Sequence, residues 1–181
     1  MIGATSLLLL CFINLSASQM AAVSARAYLF RAQNDTNAPF MPAGIVDFRQ
    51  DSLSLVVNGT VRGLTAGLHG FHVHARGDIG NNCGAALGHY NPFGRNHGAP
   101  GLAFPTVRHV GDLGNIQANA NGEATISGTF RGVGLVGPFS IIGRALVVHA
   151  MADDLGLGNN DGSRTTGNAG GRFACGIIGV M

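Results

Sequence analysis

The chain has 181 residues, of which 29 are glycine, 46% are hydrophobic and 11% are charged, with a formal net charge of +2. It is too apolar for a disordered chain and, with Glu123 as its single glutamate and no lysine, it lacks the composition of a coiled coil. The small net charge and scattered arginines argue against a nucleic-acid partner, and the length suits one domain with a real core.

The chain opens on an apolar run, Ser6 to Leu15, about half as long as a membrane span requires. Small residues Ser16-Ala17-Ser18 follow it. This pattern predicts a secretory signal peptide over residues 1–18, with Ala25 as a second cleavage point, and a mature domain over 26–181 that is secreted rather than membrane-spanning. The plainer alternative is a buried N-terminal strand or helix. Removal takes Cys11 away and leaves Cys83 and Cys175, an even number in an exported protein. One disulfide closing a loop of 92 residues is the expectation, and two free buried thiols the alternative. Two glycosylation triplets, Asn34-Asp35-Thr36 and Asn58-Gly59-Thr60, fit the same compartment.

Beyond the leader, period-two alternation and β-rich composition predict strands at 27–31, 44–49, 53–63, 70–75, 115–120, 123–129, 145–150 and 175–180. The polar stretch 33–42 reads as a turn between strands. Asn121-Gly122 predicts a hairpin in which both turn positions take positive φ. No glycine-free window of helical period stands out, so the fold is all-β, an antiparallel barrel or sandwich. Two stretches refuse strand assignment: 76–112, rich in Gly, Asn and Pro, and 151–171, with six glycines. Loops of that length inside one domain are usually functional.

All seven histidines, His69, His72, His74, His89, His97, His109 and His149, fall within 81 residues. A lone histidine is more often a core or surface residue than a ligand; seven on two strands and one loop are not. His72 and His74 are two apart in a strand, which puts both imidazoles on one face of the sheet, and His149 lies in another strand. His89, His97 and His109 come from the first long loop, with Asp112 close behind. Three imidazoles and one carboxylate suit tetrahedral Zn²⁺, and imidazole-rich sites with open positions suit copper. A metal-free, pH-sensitive histidine cluster is the alternative.

The segments Gly67 to His74 (G-L-H-G-F-H-V-H), Gly88 to Pro92 (G-H-Y-N-P), Arg108 to Asn115 (R-H-V-G-D-L-G-N), Ile141 to His149 (I-I-G-R-A-L-V-V-H) and Gly167 to Gly176 (G-N-A-G-G-R-F-A-C-G) resemble the copper/zinc superoxide dismutases, in order and in spacing. The resemblance implies an immunoglobulin-like Greek-key antiparallel β-barrel or sandwich with two long functional loops. It implies copper held by His72, His74, His89 and His149, and zinc held by His89, His97, His109 and Asp112, with His89 an imidazolate bridge. Asp153 would tie the outer nitrogens of His72 and His97, His69 would be structural, and Cys83 and Cys175 would form the disulfide. The implied reaction is dismutation of superoxide to O₂ and hydrogen peroxide, an antioxidant activity outside the cell. Arg172 would dock the anion, and His89 would deliver a proton. A homodimer is implied through Gly77, Ile142, Gly143 and Val180. The 151–171 loop departs from the family in carrying few charges, with Thr165 at an expected lysine and Arg164 beside it. The sequence shows no basic, heparin-binding tail. The competing readings are a non-catalytic copper carrier and a scaffold relative of the same fold.

Overall fold

A computed structural model describes residues 23–33, 40–101 and 107–181. The expected leader at 1–18, the Asn34 triplet and most of the 33–42 turn lie outside the described residues. Eight strands follow in chain order: β1 (Ser24–Arg31), β2 (Pro42–Gln50), β3 (Leu55–Arg62), β4 (Gly67–Val73), β5 (Asp112–Ala118), β6 (Glu123–Phe130), β7 (Ala145–His149) and β8 (Arg172–Val180). They close into an antiparallel barrel in the order β1-β2-β3-β6-β5-β4-β7-β8. The β3-to-β4 connection passes over β6 and β5, and the β6-to-β7 connection over β5 and β4, which gives the Greek-key path, so of the two expected all-β forms the barrel is the one adopted.

Alternation fixes the inside. Ala25, Ala27 and Leu29 of β1, Val46 and Phe48 of β2, Phe71 and Val73 of β4, and Leu146 and Val148 of β7 all point into one core. The residues between them face outward, which is why Phe71 and Val73 are core while His72 and His74 stand on the opposite face. That outer face of β4 and β7 is covered by the two long connections, so His72, His74 and His149 are as buried as the core, at 0%, 1% and 3% exposure. Among the described residues, no helix is long and apolar enough to cross a membrane.

Each predicted strand is present, but the bounds shift, with β1 starting at Ser24, β4 running Gly67–Val73 and β5 running Asp112–Ala118, and other details differ too. β8 begins at Arg172 rather than 175, because Arg172 continues the ladder opposite His149. Asn121-Gly122 does not form a turn with two positive φ values. Gly122 alone is left-handed (φ 73), its N–H donates to Asn119 O at 2.9 Å, and Asn119 Oδ1 accepts from Asn121 N; this is a three-residue loop ending in a glycine bulge. The first long loop holds a 3₁₀ turn, Gly84–Ala86, and the second a short helix, α1 (Asp161–Thr166). Asn160 caps α1 by accepting from Ser163 N, and left-handed Gly167 ends it.

Leu87, just after the 3₁₀ turn, has φ 62 and ψ −148. That region is open essentially to glycine alone and costs a side chain roughly 1–3 kcal/mol. Because the side chain is 45% exposed, little packing holds it there. Leu87→Gly should therefore stabilise the fold by about 1 kcal/mol, net of glycine's extra backbone entropy, and raise the melting temperature by a few degrees. A calorimetric scan checks this, and an unchanged or lower midpoint contradicts it.

Candidate metal centre

Six histidines and two aspartates meet on the outer face of β4 and β7. β4 presents His72, and His74 follows its last residue. The loop after it brings His89, His97 and His109; β5 opens on Asp112; β7 ends on His149; and the 150–171 loop brings Asp153. The two loops are tied together by His97 N donating to Arg164 O at 2.7 Å. All eight side chains are buried, with His89 the most accessible at 7%.

The outer nitrogen of five rings faces an acceptor, and an acceptor must be given a proton. Asp153 Oδ2 accepts from His72 Nε2 at 2.9 Å and Oδ1 from His97 Nε2 at 2.7 Å. Leu87 O accepts from His74 Nδ1 at 2.7 Å, Gly170 O from His149 Nδ1 at 3.2 Å, and Arg95 O from His109 Nε2 at 2.8 Å. In each neutral ring the other nitrogen then carries a lone pair pointing inward. His89 alone has no such outer acceptor: Nδ1 lies 2.9 Å from Asp112 Oδ1, and Nε2 has no hydrogen-bond partner among the described residues.

The inward atoms form two adjacent clusters that share His89. In one, His74 Nε2 and His149 Nε2 are 3.3 Å apart, and the donors of His72, His74, His89 and His149 all lie within 4.8 Å of one another. In the other, Asp112 Oδ1 lies 2.9 Å from His89 Nδ1, 3.0 Å from His97 Nδ1 and 3.1 Å from His109 Nδ1, and His109 Nδ1 is 3.4 Å from His89 Nδ1. His72 also comes within 4.8 Å of His89, His97 and Asp112. However, the Nδ1 atoms of His89, His97 and His109 all lie within 3.1 Å of Asp112 Oδ1, a contact His72 does not make, so His109 is the better fourth member. Edges of a tetrahedron with ligand bonds of 2.0–2.1 Å are about 3.4 Å long, close to these distances. Lone pairs and a carboxylate oxygen packed this closely repel one another unless a cation lies among them. His72 Nδ1, His89 Nε2 and His97 Nδ1, all buried and lacking hydrogen-bond partners among the described residues, are the atoms such cations would satisfy.

The electrostatics agree. Burial pushes His72 and His74 well below the usual imidazole range, His89 down to about 4 and His149 to about 3, keeping their rings neutral and ready to ligate. Burial opposes charge on His97 too, but Asp112 and Asp153 on its two sides outweigh it and raise the ring to about 9. A metal ligated there would displace that proton. Burial would raise Asp112 and Asp153, but the imidazoles around them hold both well below the usual carboxylate range.

His69 stands behind the first cluster, its Nδ1 2.8 Å from His149 O and its Nε2 2.9 Å from Thr65 O, and it contributes to neither set. Arg172 is held by the carbonyls of Cys83 and Leu87, and lines a cleft of about 460 Å³ together with His74, His89 and His149. Cys83 and Cys175 form a disulfide. Arg164 pairs with Asp161 at 2.8 Å, so its charge is partly neutralised on its own helix. Two supporting residues were not singled out by the sequence reading. Asn115 exchanges two 2.8 Å hydrogen bonds with the backbone of Asp153 and so holds that carboxylate in place. Arg108, fully buried, donates to His109 O at 2.8 Å and to Arg131 O at 2.7 Å.

The copper/zinc superoxide dismutase family model matches residues 42–178. An extracellular copper-zinc superoxide dismutase of Caenorhabditis elegans is 50% identical over 159 residues, covering 88% of this chain and 70% of that protein. One from Haemonchus contortus is 48% identical, covering 88% and 85%. One from Brugia pahangi is 53% identical over 140 residues, covering 76% and 69%.

Proposed function

The chain belongs to the copper/zinc superoxide dismutase family, and from that premise we propose that it dismutes superoxide to O₂ and hydrogen peroxide outside the cell. The observation that carries this reading is the pair of lone-pair clusters joined through His89. His72, His74, His89 and His149 would hold copper, a set of borderline-soft imidazoles with room for a substrate. His89, His97, His109 and Asp112 would hold zinc in a closed, buried cage. Copper supplies a one-electron couple that oxidises one superoxide and reduces the next. Arg172, charged at any working pH, docks the anion in the cleft. His89, the ring with both nitrogens turned inward, would use Nε2 as a ligand or, when that nitrogen is not ligating, as the bearer of a proton handed to the reduced substrate as a general acid, the second proton of hydrogen peroxide coming from water. Secreted protein should contain both metals and show dismutation. Metal uptake without turnover would favour the copper-carrier alternative.

Asp153 is a positioning residue for both clusters, since one carboxylate orients His72 and His97. Outer partners of this kind change metal affinity by roughly 10–100-fold. Asp153→Ala should weaken both metals by about that factor, read by competition with chelators of graded strength. A variant that binds both metals as tightly as its parent refutes the role.

The expected leader at 1–18 and the domain at 26–181 remain part of the same proposal. β1 already starts at Ser24, and Ala25 is buried opposite Phe48 and Val180, which favours cleavage after Ser18 over cleavage after Ala25. Sequencing the mature amino terminus tests it. Asn58 is exposed on β3 and available to a glycan. A homodimer has support in the exposed Tyr28, Ile177 and Val180 on neighbouring β1 and β8, an apolar patch of the kind that marks interfaces. Gly77 packs against Gly143 O, with no room for a side chain.

A further inference from the structure

The cleft leading to the first cluster has one soft donor in its wall, Met151. The residue is 57% exposed, whereas His74, His89 and His149 in the same cleft are at most 7% exposed, so Met151 lines the solvent-accessible part of the cleft that leads to the buried imidazoles. Its backbone is fixed on both sides, Met151 N donating to Ala169 O at 3.0 Å and Gly70 N to Met151 O at 2.9 Å. Its side chain runs across Gly170, where a Cβ would lie 2.7 Å from Sδ and 3.0 Å from Cγ. With φ 73, Gly170 combines a conformation and an absence of side chain that leave the sulfur its place.

The approaching ion faces two difficulties here. Arg172 places a positive charge in the same cleft and repels cations. The imidazoles that would hold copper also suit zinc. A neutral thioether adds no charge of its own and prefers Cu(I) to Zn(II). We propose that Met151 is a capture ligand for Cu(I) at the cleft mouth: the sulfur lone pair binds the ion as its carrier ligand leaves, and His149 and His74 then displace the sulfur. Copper stays in the +1 state throughout, and no electron or proton is consumed. This inference rests on the copper assignment of His72, His74, His89 and His149, and deepens it by naming how the metal enters and is selected.

Met151→Leu keeps the apolar bulk over Gly170 and removes the donor. The full zinc-loaded chain, free of copper, is mixed without oxygen with the acetonitrile complex of Cu(I), and separately with aqueous Cu(II), and uptake is followed by metal analysis of quenched samples. Cu(I) uptake should slow roughly tenfold, the lower end of the effect of a residue that supports a metal site, while Cu(II) uptake and the final copper content match the parent chain. Parental Cu(I) uptake by the variant overturns the proposal, as does an equal slowing for both ions, which would mean altered packing. If the parent chain takes up neither ion, the copper assignment itself fails, and the capture role falls with it.

Discussion

Replacing Arg172 with alanine is expected to lower superoxide turnover by roughly a hundredfold or more, the scale set by removing one preorganised donor from a site that stabilises an anion, while copper and zinc contents stay at the parental level. The guanidinium is not a metal donor and touches neither cluster's outer nitrogens, so the metals have no reason to leave. What it loses is position as much as charge. The Cys83 and Leu87 carbonyls take two of its five N–H donors, leaving the others for the cleft, in which Arg172 is the one arginine among the described lining residues; Arg164 on the neighbouring loop is paired with Asp161, and the chain has no lysine. Arg172→Lys should recover only part of the rate, because an ammonium keeps the charge but cannot fork between two carbonyls. Turnover at a steady superoxide flux, with metal analysis on the same samples, decides. An unchanged rate removes the docking role, and a loss of copper alongside rate would make Arg172 structural.

The strands were legible because core residues recur at period two, and the clusters because seven histidines in 81 residues have no bland explanation. What stayed hidden depends on partners far away in the chain. β8 starts at Arg172 only because His149 lies opposite it, and a ladder partner is not written locally. Helix α1 is short and carries Gly162 and two threonines, poor helix formers, so its caps Asn160 and Gly167 had no periodic run to bracket. Asn115 and Arg108 lay within a motif already singled out, yet nothing in an alternating pattern says which polar side chain is folded inward. The sharing of His89 was implied only by family resemblance. Hydrogen-bond accounting supports the proposed sharing, since His89 is the one of the six clustered rings without an outer acceptor. Gly167 supplies the close approach that this network needs: a Cβ there would collide with Asp153 Oδ1.

Changing Cys83 and Cys175 together to alanine is expected to destabilise the metal-loaded protein by roughly 4–5 kcal/mol, because the disulfide closes a 92-residue loop and that loop entropy returns to the unfolded chain. Alanine is the right replacement. Both sulfurs sit among Ala86, Ala145 and Val147, an apolar setting where a serine hydroxyl would add its own desolvation cost. Between the two cysteines lie His89, His97, His109, Asp112, His149, Asp153 and Arg172, so the crosslink encloses the whole second cluster and two of the four residues of the first, His72 and His74 preceding Cys83 in the chain. The effect reaches the cleft as well. Asn81, Asn82 and Cys83 are three consecutive left-handed residues (φ 50, 55 and 61), a conformation that L-residues hold only when their surroundings impose it. Released from Cys175, this segment relaxes, and the Cys83 carbonyl that holds Arg172 moves with it. Denaturant midpoints should therefore fall, and turnover should fall in the same variant even well below its melting temperature, with metal content preserved. A variant with the parental midpoint would show that the barrel alone supplies the stability. One that is less stable but fully active would break the link drawn between the disulfide, the Cys83 carbonyl and the docking of the anion.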